Sequence, residues 1–412
     1  MVEESRSSLK PVLFIFAVLL LDVIGLGIII PVMPALIMEL TGLGESGAAS
    51  YGGWLLFLFA LMQFLFAPAI GNLSDRFGRR PVLLLSLFAF GFDYLIMGFA
   101  PNILLLFVGR ALAGIAGATY PTAMAYVADV TTPEKRAQAY GIMGSAWGFG
   151  FILGPVIGGF LGVYGPRVPF FASAAIVWAA MIFGVLFFPE SLTEENRRAF
   201  HLKNANPVAA LTRIGKYPSV YGLLAVLLLF QIAHESLPSL WTYYSMEKFH
   251  WHEREIGLSL GYFGVASIFV QGFLIRASIP LLGERNTVYA GIFFNTVGFI
   301  GIAIASQGWM LYALALPCAL GALAHAAING MMSAQVPSNQ QGELQGAVSC
   351  VLSIVMIVTP LFMTQLFSYS SRPDGPYYFP GAPFIVAAIC CMVSVPIFTA
   401  AHRSVPRRAS VR

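Results

Sequence analysis

Charged side chains are scarce in this chain of 412 residues. Asp, Glu, Lys and Arg make up 10% of it, hydrophobic residues make up 58%, and the mean hydropathy is +0.78. Soluble domains carry about 25% charged residues. So little charge excludes a water-soluble enzyme, a disordered chain and a nucleic-acid-binding protein. It indicates a protein that crosses a membrane several times.

Patterns that carry catalysis or metal binding are also missing. The four cysteines lie in apolar stretches, without the spacing of a disulfide framework or a zinc site. The sequence contains no phosphate-binding loop and no nucleophile–base pattern. We therefore expect no enzyme activity, no catalytic residue, no metal and no cofactor. We expect no cleaved signal peptide, because the first apolar run is too long and carries Asp22.

Twelve apolar segments have about the length that crosses a bilayer as a helix. Turn residues or charges, such as Pro101 and Asn102, separate most of them. The predicted fold class is an all-α membrane protein with twelve transmembrane helices. The segments are 12–33, 51–72, 82–99, 103–128, 138–162, 169–188, 218–244, 256–279, 287–305, 308–334, 344–367 and 381–400.

Lys and Arg are concentrated in alternate connecting segments. If the N-terminus is cytoplasmic, 18 of the 23 fall in cytoplasmic segments, 4 fall in outer segments, and Arg110 lies within a span. Lys and Arg favour the cytoplasmic side of a membrane. The chain is therefore predicted to be a multi-pass protein of the inner (cytoplasmic) membrane, with both termini in the cytoplasm.

One long polar stretch divides the spans six and six, and the halves resemble each other. At an offset of 205 residues, Gly78 matches Gly283 and Pro155 matches Pro360. We predict two six-helix pseudo-repeats, an N-terminal bundle over 1–188 and a C-terminal bundle over 218–412, joined by a cytoplasmic linker over 189–217. Two parallel repeats with a substrate site between them are one transporter architecture.

The segment GNLSDRFGRRP (71–81) follows the second span. Its glycines permit a tight turn, and its charges can join neighbouring helix ends. It resembles the signature loop of the major facilitator superfamily. The resemblance implies that Arg79 pairs with Asp129 and that Asp75 faces the start of the eleventh helix near Gly342. The implied cytoplasmic gate consists of Asp75, Arg79, Arg80 and Asp129.

Arg110 lies inside the fourth span, in GRALAGIAGATYP (109–121). A charge at the centre of a span costs ~3 kcal/mol on insertion scales and usually has a purpose. The family resemblance implies a part in proton transfer. The alternative is that Arg110 pairs with an acid or with backbone carbonyls and only holds helices together.

The fifth span reads GSAWGFGFILGPVIGGFLG (144–162). Its glycines allow close helix approach, and its proline allows a kink. It resembles the antiporter motif of drug-exporting members of the superfamily, which implies export. The alternative is generic packing of small residues. The motif residues are Gly150, Gly154, Pro155, Gly158 and Gly159.

Most of the chain resembles the tetracycline/proton antiporter family, including LLDVIGLGIIIPVMP (20–34) and QGELQGAV (341–348). The resemblance implies proton coupling through Asp22 in the first span and Asp93 in the third. Two positions depart from the family, since Ser267 stands in place of its eighth-helix histidine and Asn295 in place of its ninth-helix acid. A related member with another substrate is therefore expected.

The seventh span has its own ionisable pair, His234 and Glu235. Glu235 is either the proton site of the second half or a carboxylate near the outer interface that meets water. His325 is either a polar group of the substrate cavity or a packing residue. The candidates for proton coupling are Asp22, Asp93, Arg110 and Glu235, and those for the substrate cavity are Gln63, His234, Ser267, Asn295 and His325.

The expected function is proton-coupled export of a hydrophobic or amphipathic small molecule by alternating access. The expected partners are this substrate, protons and the lipid bilayer, with no nucleic acid, and the chain is expected to act as a monomer. An uptake symporter for a sugar or other metabolite is the first alternative, and the fifth-span motif counts against it. A non-transporting membrane sensor is the second, and the intact gate loop counts against it.

Overall fold

The computed structural model describes residues 10–117, 119–197, 218–337, 340–373, 375 and 377–403. Over these residues, 11 helical runs are long and apolar enough to cross a membrane. One of them, Glu253–Ile304, is 52 residues long and contains two spans that meet at Gly283. The described part of the chain therefore contains the twelve predicted spans, and the protein is a multi-pass membrane protein.

The helices of the first half extend beyond most of the predicted segments. The first span is an exception, because it ends at Ile29 and a short helix, Met33–Thr41, follows. Pro31 ends it, since the residue before a proline avoids helical angles. Spans one to six are Lys10–Ile29, Glu45–Phe77, Arg79–Gly98, Ile103–Ala116 continued by Thr119–Val130, Pro133–Gly162 and Val168–Phe187.

The second half repeats this arrangement. The eighth span passes through a π-helical turn, Val270–Leu274, before it reaches Gly283. The eighth span is Glu253–Phe269 continued into Ile275–Ile304 as far as Gly283, and the ninth is the part of Ile275–Ile304 after Gly283. The other spans of this half are Pro218–Phe249, Gly308–Leu320 continued by Ala322–Ser333, Gln341–Ser370 and Ala382–Arg403.

The backbone carries the repeat that the sequence predicts. Gly78 has φ 105° and ψ 159°, and Gly283 has φ 75° and ψ 158°, angles that suit only glycine. The fourth span is interrupted at Gly117 and the tenth at Gly321. The two halves thus share turns and breaks as well as helices.

The described residues form two compact units, which we call the N-unit and the C-unit. The N-unit is Met1–Asn206 together with Trp251–Gly264, and the C-unit is Pro207–His250 together with Val265–Arg412. The first part of the eighth span therefore packs within the N-unit. The predicted linker is described only as far as residue 197, and 198–217 lie outside the described residues.

A buried apolar cluster in the N-unit fixes the helix ends around the predicted gate. Tyr126 and Phe188 stack in it with ring centroids 4.1 Å apart. Between helices that cross a membrane, such side chains stabilise the bundle by close van der Waals packing. The cluster holds the end of the fourth span, which carries Asp129, beside the end of the sixth. Its main members are Val12, Ile15, Leu19, Leu83, Tyr126, Val127, Met143 and Phe188.

Candidate functional site

The turn between the second and third spans is the single residue Gly78. Glu190, just after the sixth span, accepts hydrogen bonds from the backbone N–H groups of Arg79 at 2.8 Å and Arg80 at 3.1 Å. The first N–H groups of a helix have no partner within it, and the positive end of its dipole favours a carboxylate. A Cβ on Gly78 would lie 2.7 Å from Cδ of Glu190. Glu190 therefore caps the third span, and the cap requires a glycine.

The side chain of Arg79 joins three acceptors at this end of the N-unit. Its Nε donates to Oδ2 of Asp129 at 3.2 Å, its Nη1 donates to Oγ of Ser74 at 2.7 Å, and it forms an ion pair with Asp75. Ser191 donates to the same oxygen of Asp129 at 3.1 Å. The expected pairing of Arg79 with Asp129 is present, and its action as a gate stays a prediction.

The other gate expectations concern Arg80 and Asp75. Nη2 of Arg80 donates to the carbonyl oxygen of Val185 at 2.6 Å, which ties the third span to the sixth. The predicted approach of Asp75 to Gly342 would join the two units and stays a prediction. Sequence reasoning does not single out Glu190, since the two N–H groups of the third span that it caps are more than 100 residues away.

Arg110 and Asp93 form an ion pair between the fourth and third spans. Arg110 is 5% exposed and Asp93 is 0% exposed. The guanidinium also lies 5.4 Å from the ring centroid of Phe59, a cation–π distance. Gly109 makes room, because a Cβ there would lie 2.5 Å from Oδ1 of Asp93. The structure thus contains the pairing that we set as the alternative to proton transfer, and the two roles are compatible.

Asp22 differs from Asp93 because it has no counter-charge. It lies near the middle of the first span and is partly exposed. Within the described residues it makes no hydrogen bond and no ion pair. The hydroxyl of Tyr94 lies within electrostatic range of Asp22, Asp93 and Arg110, so these groups share one region of the N-unit. The structure thus places Asp22 in the same region as the ion pair, and its part in proton coupling stays a prediction.

The glycines of the fifth span pack against two other spans. A Cβ on Gly154 would lie 2.6 Å from Cα of Gly27 in the first span. A Cβ on Gly159 would lie 3.1 Å from Cα of Gly257 in the eighth. These contacts are the close packing that small residues permit in membranes. Gly150 and Gly158 likewise face the first span, at Val23 and Ile28.

In the C-unit, His234 and Glu235 lie near the middle of the 30-residue span Val220–Phe249. Glu235 is thus deep in the span and not near its outer end. Its carboxylate has no partner among the described residues. The imidazole of His234 stacks on Phe230 with centroids 6.4 Å apart and planes at 9°, and it is within electrostatic range of His325.

His325 lies on the second helix of the tenth span and contacts Asn329, one turn further along. Nδ2 of Asn329 is 2.9 Å from Nε2 of His325. Sequence reasoning does not find Asn329, since an isolated amide in an apolar run carries no motif. Its spacing of four residues from His325 is the only signal, because such residues are neighbours on a helix.

The remaining cavity candidates have different surroundings. Asn295 is 0% exposed, and both polar atoms of its side chain lack a hydrogen-bond partner in the described structure. It contacts the break in the tenth span, where a Cβ on Gly321 would lie 2.6 Å from its Cγ. Gln63 donates to the carbonyl oxygen of Gly117 at 2.8 Å, at the matching break in the fourth span. Ser267 is partly exposed.

Comparisons with known proteins identify the family. The model of the Major Facilitator Superfamily matches residues 15–321 and 236–410. The class C tetracycline resistance protein of Escherichia coli is 36% identical over 91% of this chain and 93% of its own. The class G protein of Vibrio anguillarum is 36% identical over 92% and 94%. The crystal structure of the nucleoside transporter NupG covers 95% of this chain and 99% of its own with a TM-score of 0.78, and at 10% identity it supports the fold alone.

These matches span nearly the whole chain, and they agree with the fold of long apolar helices. The protein is a transporter of small molecules and not an enzyme. The chain belongs to the major facilitator superfamily, in the group that contains the tetracycline resistance proteins.

Proposed function

We propose that the chain exports a hydrophobic or amphipathic small molecule, such as a drug or a tetracycline-like compound, in exchange for protons. The observation that carries the proposal is the 36% identity, over 91% of the chain, to a protein named for tetracycline resistance. Export lowers the amount of a toxic compound that reaches its target, and so it accounts for resistance. The transporter would lie in the inner membrane as a monomer with both termini in the cytoplasm, and would work by alternating access.

Asp22 is the first candidate for proton coupling. A carboxylate in mid-span without a counter-charge indicates a function, because a charge within the membrane raises the free energy of insertion. A proton and a substrate that favour different states of one transporter exchange across the membrane without ATP. Asp93 and Arg110 form the second candidate pair, in which a change of protonation would act by making or breaking the ion pair.

Glu235 is the candidate for proton coupling in the C-unit. Glu235 lies deep in the seventh span and has no partner among the described residues. Asp22 has the same two properties in the first span. Other polar side chains of the two units supply candidate substrate contacts, and the gate residues would close the cytoplasmic side. The proposed substrate contacts are Gln63, His234, Ser267, Asn295 and His325.

Purified protein in liposomes with an imposed pH gradient tests the proposal, with tetracycline as the first probe. We expect at least one compound, tetracycline or a member of the panel named below, to accumulate against its own gradient, and an uncoupler to abolish this accumulation. Asp22→Asn should lose this uphill transport yet keep downhill exchange. Glu39→Gln is the matched control, because Glu39 is an exposed acid that pairs with Arg167 at the other end of the N-unit.

Two results would contradict this proposal. Symport of substrate with protons would identify an uptake transporter. Normal uphill transport by the Asp22→Asn variant would remove Asp22 from the coupling mechanism. A panel of hydrophobic cations and neutral drugs, tested in the same liposomes, then defines the substrate range.

A further inference from the structure

The amide of Asn329 contacts two atoms of His325. Its Nδ2 lies 3.1 Å from the backbone carbonyl oxygen of His325 and 2.9 Å from the ring atom Nε2. A carbonyl oxygen only accepts hydrogen bonds. The atom of Asn329 that faces it must therefore be the NH2 group, and this fixes the orientation of the amide.

The same NH2 group faces Nε2 of His325, which must then accept. An imidazole nitrogen accepts a hydrogen bond only when it carries no proton. His325 is thus neutral in this arrangement, with its proton on Nδ1. Protonation of Nε2 would set two donors against each other and break the contact with Asn329.

His325 has few charged neighbours. His234 on the seventh span is within electrostatic range of it. None of the other titratable groups on the packed elements makes a hydrogen bond or an ion pair with it in the described structure. Those groups are Tyr221, Glu235, Tyr243, Tyr244, Glu247 and Lys248 on the seventh span, Arg276, Glu284, Arg285 and Tyr289 around Gly283, Tyr312 and Cys318 on the tenth, and Glu343, Cys350 and Tyr369 on the eleventh.

Nδ1 of His325 remains available to a ligand. His325 is partly exposed, and this nitrogen is not among the buried atoms that lack a partner, whereas Nδ1 of His234 is. The two histidines of the C-unit therefore differ in what they can offer. His325 presents an N–H donor, and the proton that it carries is fixed in place by Asn329.

We propose that Asn329 is a positioning residue that keeps His325 neutral, so that His325 binds substrate through Nδ1–H and does not carry the transported proton. The ligand group that fits is an uncharged or anionic oxygen acceptor, such as a carbonyl, enol or ether oxygen. This inference rests on the proposed function for its substrate, and its first test is independent of transport.

The first test is spectroscopic. Protein labelled with 15N-histidine in lipid nanodiscs gives nitrogen shifts that distinguish the two neutral tautomers and the imidazolium, and His325→Gln assigns the signal. Near neutral pH we expect Nδ1–H with an unprotonated Nε2. Asn329→Leu should give a mixture of tautomers, and Asn329→Asp, which only accepts at that point, should move the proton to Nε2. An Nε2–H tautomer or an imidazolium in the unmodified protein would overturn the proposal.

The second test measures transport of tetracycline by variants in which Asn or Gln replaces His325. Asn places an amide nitrogen where Nδ1 of histidine lies, and Gln places one near Nε2. His325→Asn keeps an N–H donor at the position of Nδ1, and so we expect it to raise the half-saturating concentration less than His325→Gln does. His325→Gln and Asn329→Leu should raise the half-saturating concentration about three- to tenfold, the effect of one hydrogen bond, with little change in maximal rate.

The pH profile separates binding from proton carriage. If His325 binds substrate only, its variants should keep the pH dependence of the unmodified protein. A shifted profile in both His325→Asn and His325→Gln would make it a proton carrier and overturn the proposal. Thermal unfolding identifies variants that fail to fold, and Asn329→Ser replaces Asn329→Leu if the latter does. If neither tetracycline nor any compound of the panel is transported, the proposed function fails while the tautomer result still stands or falls by itself.

Discussion

Arg110 and Asp93 form an ion pair inside the N-unit, and each supplies the charge that the other lacks. Removing one member leaves a buried charge alone, which costs about 3–5 kcal/mol. We therefore expect Asp93→Asn to lower the unfolding temperature markedly, and the double variant with Arg110→Gln to recover part of the loss. Thermal unfolding in detergent measures both. Losses that simply add would indicate that the two residues do not interact.

Arg79 and Asp129 should interact in function as they do in geometry. Arg79→Asp and Asp129→Arg should each impair transport, because each leaves a like-charge contact in the network. The exchanged double variant should restore part of the rate in liposomes. Arg136→Gln is the control, since its exposed side chain bonds only the backbone carbonyl of Ala128 among the residues that the structure describes. If the exchange restores nothing, the orientation of the pair also matters or the pair has no part in the cycle.

Glu190 should contribute to stability through the cap on the third span. Glu190→Ala removes the acceptor of four N–H groups, those of Arg79 and Arg80 and those of Ser191 and Leu192. Losing a helix cap costs about 0.5–2 kcal/mol. Glu194→Ala is the matched control four residues further along, where the side chain is 90% exposed. Thermal unfolding of the two variants side by side measures the difference. Equal unfolding temperatures would show that the cap adds no stability.

The two repeated glycines should respond differently to alanine. Both have positive φ, so alanine strains each by about 1–2 kcal/mol. At Gly78 the new Cβ would also meet Glu190, whereas at Gly283 it meets nothing within 4 Å. Gly78→Ala should therefore lower the unfolding temperature more than Gly283→Ala. The reverse order would contradict the assigned role of Glu190.

Glu235→Gln should fold as well as the unmodified protein, because it removes an unpaired charge from mid-span. If Glu235 carries a proton, transport by the variant should have an altered pH dependence. Initial rates in liposomes from pH 5 to 8, with one neutral and one cationic substrate, measure it. Glu247→Gln, at the end of the same helix, is the control. If the variant and the unmodified protein have identical pH profiles for both substrates, Glu235 carries no proton, and the N-unit carries proton coupling alone.

The fold could be predicted from the sequence because the bilayer restricts it. Apolar runs of span length have to be helices there, since no water is present to satisfy the backbone. The Arg79–Asp129 pair could also be predicted, because its loop has a distinctive pattern. The end of the first span at Ile29 was missed, although Pro31 signals it.

What the sequence could not reveal are contacts that depend on the backbone. Glu190 binds backbone N–H groups, which every residue except proline carries, so no residue type marks its partner. Asn329 acts on a histidine of its own helix, and only the geometry shows which atom donates. Asn295 likewise packs against Gly321 and lacks a hydrogen-bond partner among the described residues, and sequence spacing determines neither fact.

The turn at Gly283 has nearly the backbone conformation of the turn at Gly78, but its charged residues form no such ion pairs in the described structure. Glu284 and Arg285 are exposed, and in the described structure they form no ion pair. This turn is therefore a site for a reporter group. Leu281 beside it is 82% exposed, so a cysteine at this position would accept a fluorophore or a spin label. Three of the four native cysteines are buried, which keeps background labelling low. The second repeat could thus report on the motion of the transporter, while the first keeps its charge network intact.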